Sequence, residues 1–105
     1  MKITFEDMKM FLAEAGLENA GAGVVFPWGV KIVEINGKKM LQPMTPKEYG
    51  QAVHEEIGRN LTKEEISAPR CWYTAATCIP QGCNEVDGTC SLHHDMNGFY
   101  CLCSY

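Results

Sequence analysis

Apolar residues recur at helical spacing in Phe5, Met8, Phe11, Leu12 and Ala15, directly after Thr4 and just before Gly16. This spacing predicts an amphipathic helix with one buried face, capped by Thr4 with Asp7 three residues on and stopped at Gly16. A Gly/Ala-rich loop over 17–23 follows. Its Gly21-Ala22-Gly23 does not open a helix, so it lacks the N-terminal dipole that a phosphate cradle requires. The short run Val24-Val25-Phe26 predicts a strand ending at Pro27-Trp28-Gly29. Asn36-Gly37, between two apolar-rich runs, predicts a two-residue hairpin, because both residues tolerate the positive φ of a type I′ turn. In that register Ile32 faces Leu41, Val33 faces Met40 and Glu34 faces Lys39. Both faces of the ribbon carry apolar residues, which predicts a cover of helices.

Thr45-Pro46-Lys47-Glu48 reads as a capping box with proline at the first helical position, and Tyr49, Ala52, Val53 and Ile57 mark one face up to Gly58. His54 lies beside that face and reads as a partly exposed structural residue. Thr62-Lys63-Glu64-Glu65 opens a third short helix that ends at Ala68-Pro69. Further on, Trp72 to Thr77 is compatible with one or two helical turns before Pro80 and Gly82. Asp87-Gly88 predicts a turn, and Asn97-Gly98 predicts a second two-residue hairpin. With the turn centred there, Met96 faces Phe99, His94 faces Cys101, Leu92 faces Cys103 and Cys90 faces Tyr105. Strand alternation then puts Cys90, Leu92, His94, Met96, Phe99, Cys101 and Cys103 on one face. The other face carries Ser91, His93, Asp95, Tyr100, Leu102 and Ser104.

The predicted class is α+β, and composition divides the chain. All six cysteines (Cys71, Cys78, Cys83, Cys90, Cys101 and Cys103) follow Arg70, and no Lys or Arg does. The expected organisation is a small helix/hairpin module over 1–67, a joint at 68–70 and a cysteine-rich segment over 71–105. So short a segment buries too little apolar surface to fold without staples, and six cysteines allow fifteen pairings. A net charge of −4 with no basic patch argues against nucleic acid or an anionic membrane as partner. The start of the sequence has no apolar stretch of the secretory type. Synthesis in the cytoplasm is therefore expected, with the tail exported, if at all, after processing. Structural disulfides are disfavoured in a reducing compartment, so this expectation is in tension with the cysteine count.

Three readings of the tail compete. The helix-capable, charged first part followed by a terminal cysteine cluster resembles leader-plus-core precursor peptides. In these a maturation enzyme recognises the leader and cross-links the core. The resemblance is one of organisation: it implies a leader over 1–70, a core over 71–105 with the six cysteines as cross-link sites, and processing after Arg70. Leu61-Thr62-Lys63-Glu64-Glu65-Ile66 looks like the acidic helix that closes such leaders. Secondly, the Cys101-Leu102-Cys103 strand and Gly88-Thr89-Cys90 look like pieces of defensin-like, knottin-like or EGF-like scaffolds, which implies a disulfide-stabilised module for a protein partner. Leu102-Cys103-Ser104 is also similar to part of a nitrile hydratase metal motif, but Tyr100 and Tyr105 stand where flanking cysteines belong, and no site is carried over. The third reading is a structural zinc-type site built from Cys90, His93, His94, Cys101 and Cys103, which offer thiolate and imidazole ligands at short spacing. Ordinary surface histidines are its alternative. No catalytic residue is assigned, because there is no Ser-His-Asp order, phosphate loop or isolated cysteine nucleophile.

Overall fold

The computed structural model describes residues 1–105. Its helices are α1 (Phe5–Glu14), α2 (Pro46–Ile57) and α3 (Lys63–Ser67). Its strands are β1 (Val30–Ile35), β2 (Lys38–Pro43), β3 (Cys71–Tyr73), β4 (Cys78–Pro80), β5 (Thr89–His94) and β6 (Gly98–Ser104). Every pairing is antiparallel, with a four-stranded sheet in the order β2-β1-β6-β5 and a separate β3-β4 ribbon. The α+β class read from the sequence is the class observed. No helix is long and apolar enough to cross a membrane.

The helix starts follow from their caps. Thr45 Oγ1 accepts from the Glu48 N–H at 3.2 Å, and Glu48 Oε1 accepts from the Thr45 N–H at 2.9 Å. Thr62 and Glu65 repeat this exchange at α3. Two otherwise unpaired backbone donors are satisfied each time, which fixes where the helix begins. At α1, Thr4 Oγ1 accepts from the Asp7 N–H at 3.1 Å. Asn36 (φ 53°) and Gly37 (φ 78°) both adopt the left-handed conformation, and the β1–β2 register has the expected Ile32–Leu41, Val33–Met40 and Glu34–Lys39 pairs.

The tail hairpin differs in register. His94 faces Phe99, Leu92 faces Cys101 and Cys90 faces Cys103, a slip of two residues from the expected pairing. A two-residue slip preserves every side chain's face, so the cysteines still share a side with Leu92 and Phe99. The turn is wider than a type I′ turn. Asp95 Oδ1 accepts from the Asn97 and Gly98 N–H groups at 2.8 and 2.9 Å, and Gly98 already belongs to β6. Gly98 serves close approach rather than a left-handed turn: a Cβ there would collide with the Val30 carbonyl oxygen of β1. Two further expectations are corrected. Trp72 to Thr77 is not helical, because Cys71–Tyr73 pairs with Cys78–Pro80 around a turn held by Thr74 Oγ1. Val24 to Phe26 forms only a single bridge, Phe26 to Tyr73.

Each face of β6 meets its own layer. Phe99 and Cys101 join Met8, Leu12, Val30, Cys71, Tyr73, Cys83 and Leu92 in one core cluster. Tyr100 and Leu102 point the other way, into a second cluster with Met44, Tyr49, Ala52 and Val53. The compositional boundary near Arg70 therefore does not divide the packing: β1 pairs with β6, and the first cluster draws from both sides of residue 70. Nor is the joint at 68–70 loose. Pro69 is buried, the Arg70 carbonyl accepts from the Gln81 N–H at 2.7 Å, and Arg70 Nη1 donates to the Gly82 carbonyl at 3.2 Å. Trp28 pins α3 by donating from Nε1 to the Ile66 carbonyl at 2.6 Å.

Gly98→Ala should destabilise the protein by ~1–3 kcal/mol, the usual cost of forcing atoms into a packed site. Denaturant unfolding would measure this, and the loss should accompany weakened hydrogen-exchange protection at the Ile32 amide, which donates to the Asn97 carbonyl.

Candidate functional site

All six cysteines are paired, as Cys71–Cys90, Cys78–Cys101 and Cys83–Cys103. The protein is a small disulfide-stabilised fold. Each bond ties the segment containing β3 and β4 to the β5–β6 hairpin, and the order is first to fourth, second to fifth and third to sixth. The hairpin register decides this arrangement. Cys90 and Cys103 lie directly opposite one another on β5 and β6 yet are not bonded together; each reaches outward to a different partner. Two bonds therefore lie side by side, and the sulfurs of Cys71, Cys83 and Cys90 are all within 4.8 Å of one another. Gly88 passes against this group: a Cβ there would stand 2.7 Å from the Cys103 sulfur and 2.8 Å from that of Cys83.

The zinc-type set of Cys90, His93, His94, Cys101 and Cys103 is not brought together. Strand alternation sends His93 to the opposite face of the sheet from the cysteines, and His94 stacks on the Phe11 ring with centroids 5.1 Å apart. Every sulfur of the set is committed to a disulfide. His54 is exposed, as expected.

His93 is not a surface residue. It is 6% exposed and stacks on Tyr100, with its Nδ1 2.9 Å from Glu56 Oε1 and its Nε2 2.9 Å from Ser91 Oγ. The neutral ring donates from Nδ1 to the carboxylate and accepts at Nε2 from the serine hydroxyl. Glu56 Oε2 in turn holds the Met1 ammonium at 2.7 Å. The Ser-His-Glu sequence of hydrogen bonds has the connectivity of a hydrolytic triad, with the imidazole almost enclosed by the fold and stacked on Tyr100. The Leu102 carbonyl lies 3.4 Å from Ser91 Oγ. One hydroxyl proton cannot serve both acceptors, and Nε2 at 2.9 Å is the nearer. The cluster reads as a structural network that joins α2 and the chain start to β5. Its signal was present in the sequence, since His93 shares a strand face with Ser91, but α2 had to be placed before Glu56 could be found.

A third feature is an apolar tip. Met96 is 100% exposed at the end of the β5–β6 hairpin. Beside it, Phe11, His94 and Phe99 form an aromatic row, with His94 and Phe99 centroids 5.3 Å apart. A cleft of about 490 Å³ runs between Phe11, Ile32, His94, Met96 and Phe99, with Glu14, Lys39, Asp95 and Asn97 giving its wall a polar side. A smaller one of about 200 Å³, lined by Met1, Ile3, Met10 and Phe11, adjoins it through Phe11 and Glu14. Met1, Met10 and Phe11 are exposed at 66, 63 and 43%.

Burial, the larger influence, lowers the His93 pKa below the ordinary 6.5 despite the opposing hydrogen bond from Glu56. The Met1 ammonium, foremost, and His93 hold Glu56 below 4.5. In both cases the unfolded chain binds a proton more readily than the folded one. Both contributions to stability are therefore complete near neutrality and lost as pH falls. Denaturation midpoints should be flat above about pH 7, decline from about 6.5 as His93 resists charging, and fall further once Glu56 protonates. His93→Asn, which cannot acquire the proton, should remove the first of these declines.

Comparison of the chain with protein-family models, characterised proteins and solved structures returned no significant match.

Proposed function

We propose that this protein is a non-catalytic, disulfide-stabilised interaction module. Its working surface is the apolar tip of Met1, Met10, Phe11 and Met96, which docks an apolar segment of a protein partner. The observation that carries this reading is Met96, wholly exposed on a hairpin whose backbone is locked by Asp95 and whose flank is the Phe11–His94–Phe99 row. An unbranched, polarizable methionine adapts to irregular apolar partners, and a rigid hairpin limits the entropy lost when it docks. Single exposed apolar residues are common, but these are grouped around two adjoining clefts, which is the pattern of a docking surface.

The leader-plus-core alternative requires that residues 71–105 work once freed from 1–70. The packing weighs against it, because β6 would lose β1 on one edge and α2 on one face. Enzymatic cleavage after Arg70 supplies a test. The two fragments should co-elute in native size exclusion and separate only in denaturant, since no disulfide joins them. Spontaneous separation with a folded 71–105 fragment would restore the precursor reading.

The interaction surface itself is tested by replacing Met96 with photo-methionine and irradiating the protein in extracts of its source. A discrete cross-linked partner is expected. Its affinity should drop by at least ~1–2 kcal/mol for Met96→Glu, the scale of a central anchor, with the unfolding midpoint unchanged. A partner that binds Met96→Glu and Phe11→Asp as tightly as the unaltered protein would overturn the assignment.

A further inference from the structure

The geometry points to a second covalent state of the sulfur cluster: when reduced, Cys71, Cys83, Cys90 and Cys103 together form a tetrathiolate site for a zinc-type divalent cation. Two of these cysteines are placed by backbone pairing alone. Cys90 and Cys103 are directly opposite on antiparallel strands, on the same face. Cβ atoms at such positions are ~4.5–5.5 Å apart, so the pairing of β5 and β6 alone holds two of the ligands. Cys71 is the first residue of β3, packed against that hairpin in the core that also contains Val30, Leu92 and Phe99. Cys83 sits at the start of the Asn84–Val86 turn, whose backbone is closed by hydrogen bonds from the Val86 and Gly88 N–H groups to the Cys83 carbonyl at 3.2 and 2.9 Å. Four separate pieces of backbone thus carry the four sulfurs: three are gathered in one cluster, and the fourth, that of Cys103, is bonded to Cys83.

The distances suit a metal. The sulfurs of Cys71, Cys83 and Cys90 already lie within 4.8 Å of one another, and Cys103 is bonded to Cys83. A tetrahedral zinc site with Zn–S bonds of ~2.3 Å has its sulfurs about 3.8 Å apart, so on reduction the Cys71–Cys90 and Cys83–Cys103 pairs must open from bonding distance, while the wider gaps among Cys71, Cys83 and Cys90 close by about 1 Å at most. Gly88 lies close against the Cys83 and Cys103 sulfurs, an approach that any side chain there would block. Cys71 and Cys83 are buried while Cys90 and Cys103 are half-buried, so each bond offers a reductant one reachable sulfur and the site keeps a dry interior. The third pair, Cys78 and Cys101, stands outside this group and supplies no ligand.

The chemistry balances with a dithiol reductant. Each of the two disulfides accepts two electrons and two protons, its S–S bond breaks to two thiols, and the dithiol leaves as its own disulfide. The four thiols then release four protons as their thiolates bind one cation. In an oxidising compartment two S–S bonds hold β3 and the Asn84–Val86 turn onto the hairpin; in a reducing one a single ion holds the same four segments. This inference is independent of the apolar tip; it shares Cys90 and Cys103 with the five-residue Cys/His set and puts Cys71 and Cys83 in place of Cys101 and the two histidines.

The test uses the full chain, reduced with an excess of a dithiol, freed of it anaerobically and titrated with cobalt(II). The expected result is the intense visible absorption of tetrahedral cobalt thiolate, saturating at one ion per chain and displaced by zinc, with no such absorption from the oxidised protein. Alkylation of the zinc-loaded reduced chain, followed by peptide mass analysis, should label Cys78 and Cys101 and spare Cys71, Cys83, Cys90 and Cys103. Cys78→Ser with Cys101→Ser should keep the cobalt band, and Cys83→Ser with Cys103→Ser should lose it. Absence of binding by the reduced unaltered protein overturns the proposal, as does a protected set that includes Cys78 or Cys101. The alkylation map reads the ligands in the unaltered chain, so a variant that fails to fold does not obscure the answer.

Discussion

Everything in this fold depends on how closely β1 approaches β6 at Gly98. Because that residue has no Cβ, the backbone of Val30 and Lys31 can lie against it, and the two hairpins become one sheet. Once β6 is an interior strand, its alternation serves two layers. Phe99 and Cys101 enter the cluster that holds α1 and the disulfide-linked segment, and Tyr100 and Leu102 enter the cluster under α2. Tyr49 and Tyr100 meet edge to face there, and their hydroxyls donate to the carbonyls of Cys101 and Ala52 at 3.3 and 3.5 Å. Burial pushes both phenol pKa values well up, so these donors keep their protons throughout the ordinary pH range.

The disulfides complement a modest core. Only 19 of 105 residues are buried, and three of the largest fully buried side chains are half-cystines. The bonds close spans of 19, 23 and 20 residues. Each such loop removes ~3 kcal/mol of unfolded-chain entropy in the simplest treatment. The spans overlap, so closing one already restricts the others and the terms do not add.

How much of this was legible in the sequence depended on whether the signal was local. Caps at Thr45 and Thr62 and the Asn36-Gly37 turn were readable because a few adjacent residues satisfy their own geometry. The face assignment in the tail was readable too, since alternation survives a two-residue slip. What failed was long-range. Asn97-Gly98 has the composition of a tight turn, but its glycine answers to Val30, sixty-eight residues away in the chain, and Asp95 takes over the turn. Trp72 to Thr77 has no local veto on helix, and only its pairing with β4 makes it extended. His93 looked like a surface histidine because Glu56, its partner, lies on a helix whose position the sequence does not announce. Cysteine pairing belongs to the same class: spacing allowed fifteen patterns, and the β5–β6 register with the placement of β3 selected one.

The order of the three cross-links has a topological consequence. Because first joins fourth, second joins fifth and third joins sixth, every peptide bond between Cys71 and Cys103 is spanned by at least one S–S bridge. A single backbone cut anywhere in that stretch leaves one covalent molecule, with both new ends still tethered to the hairpin. The turns at 74–77 and 84–87 and the hairpin tip at 96–97 can therefore each be opened without any piece of the tail coming away, whereas Gly88 and Gly98 are fixed by their close contacts. Diversity in such a protein can accumulate at its turns while the sheet beneath them stays whole.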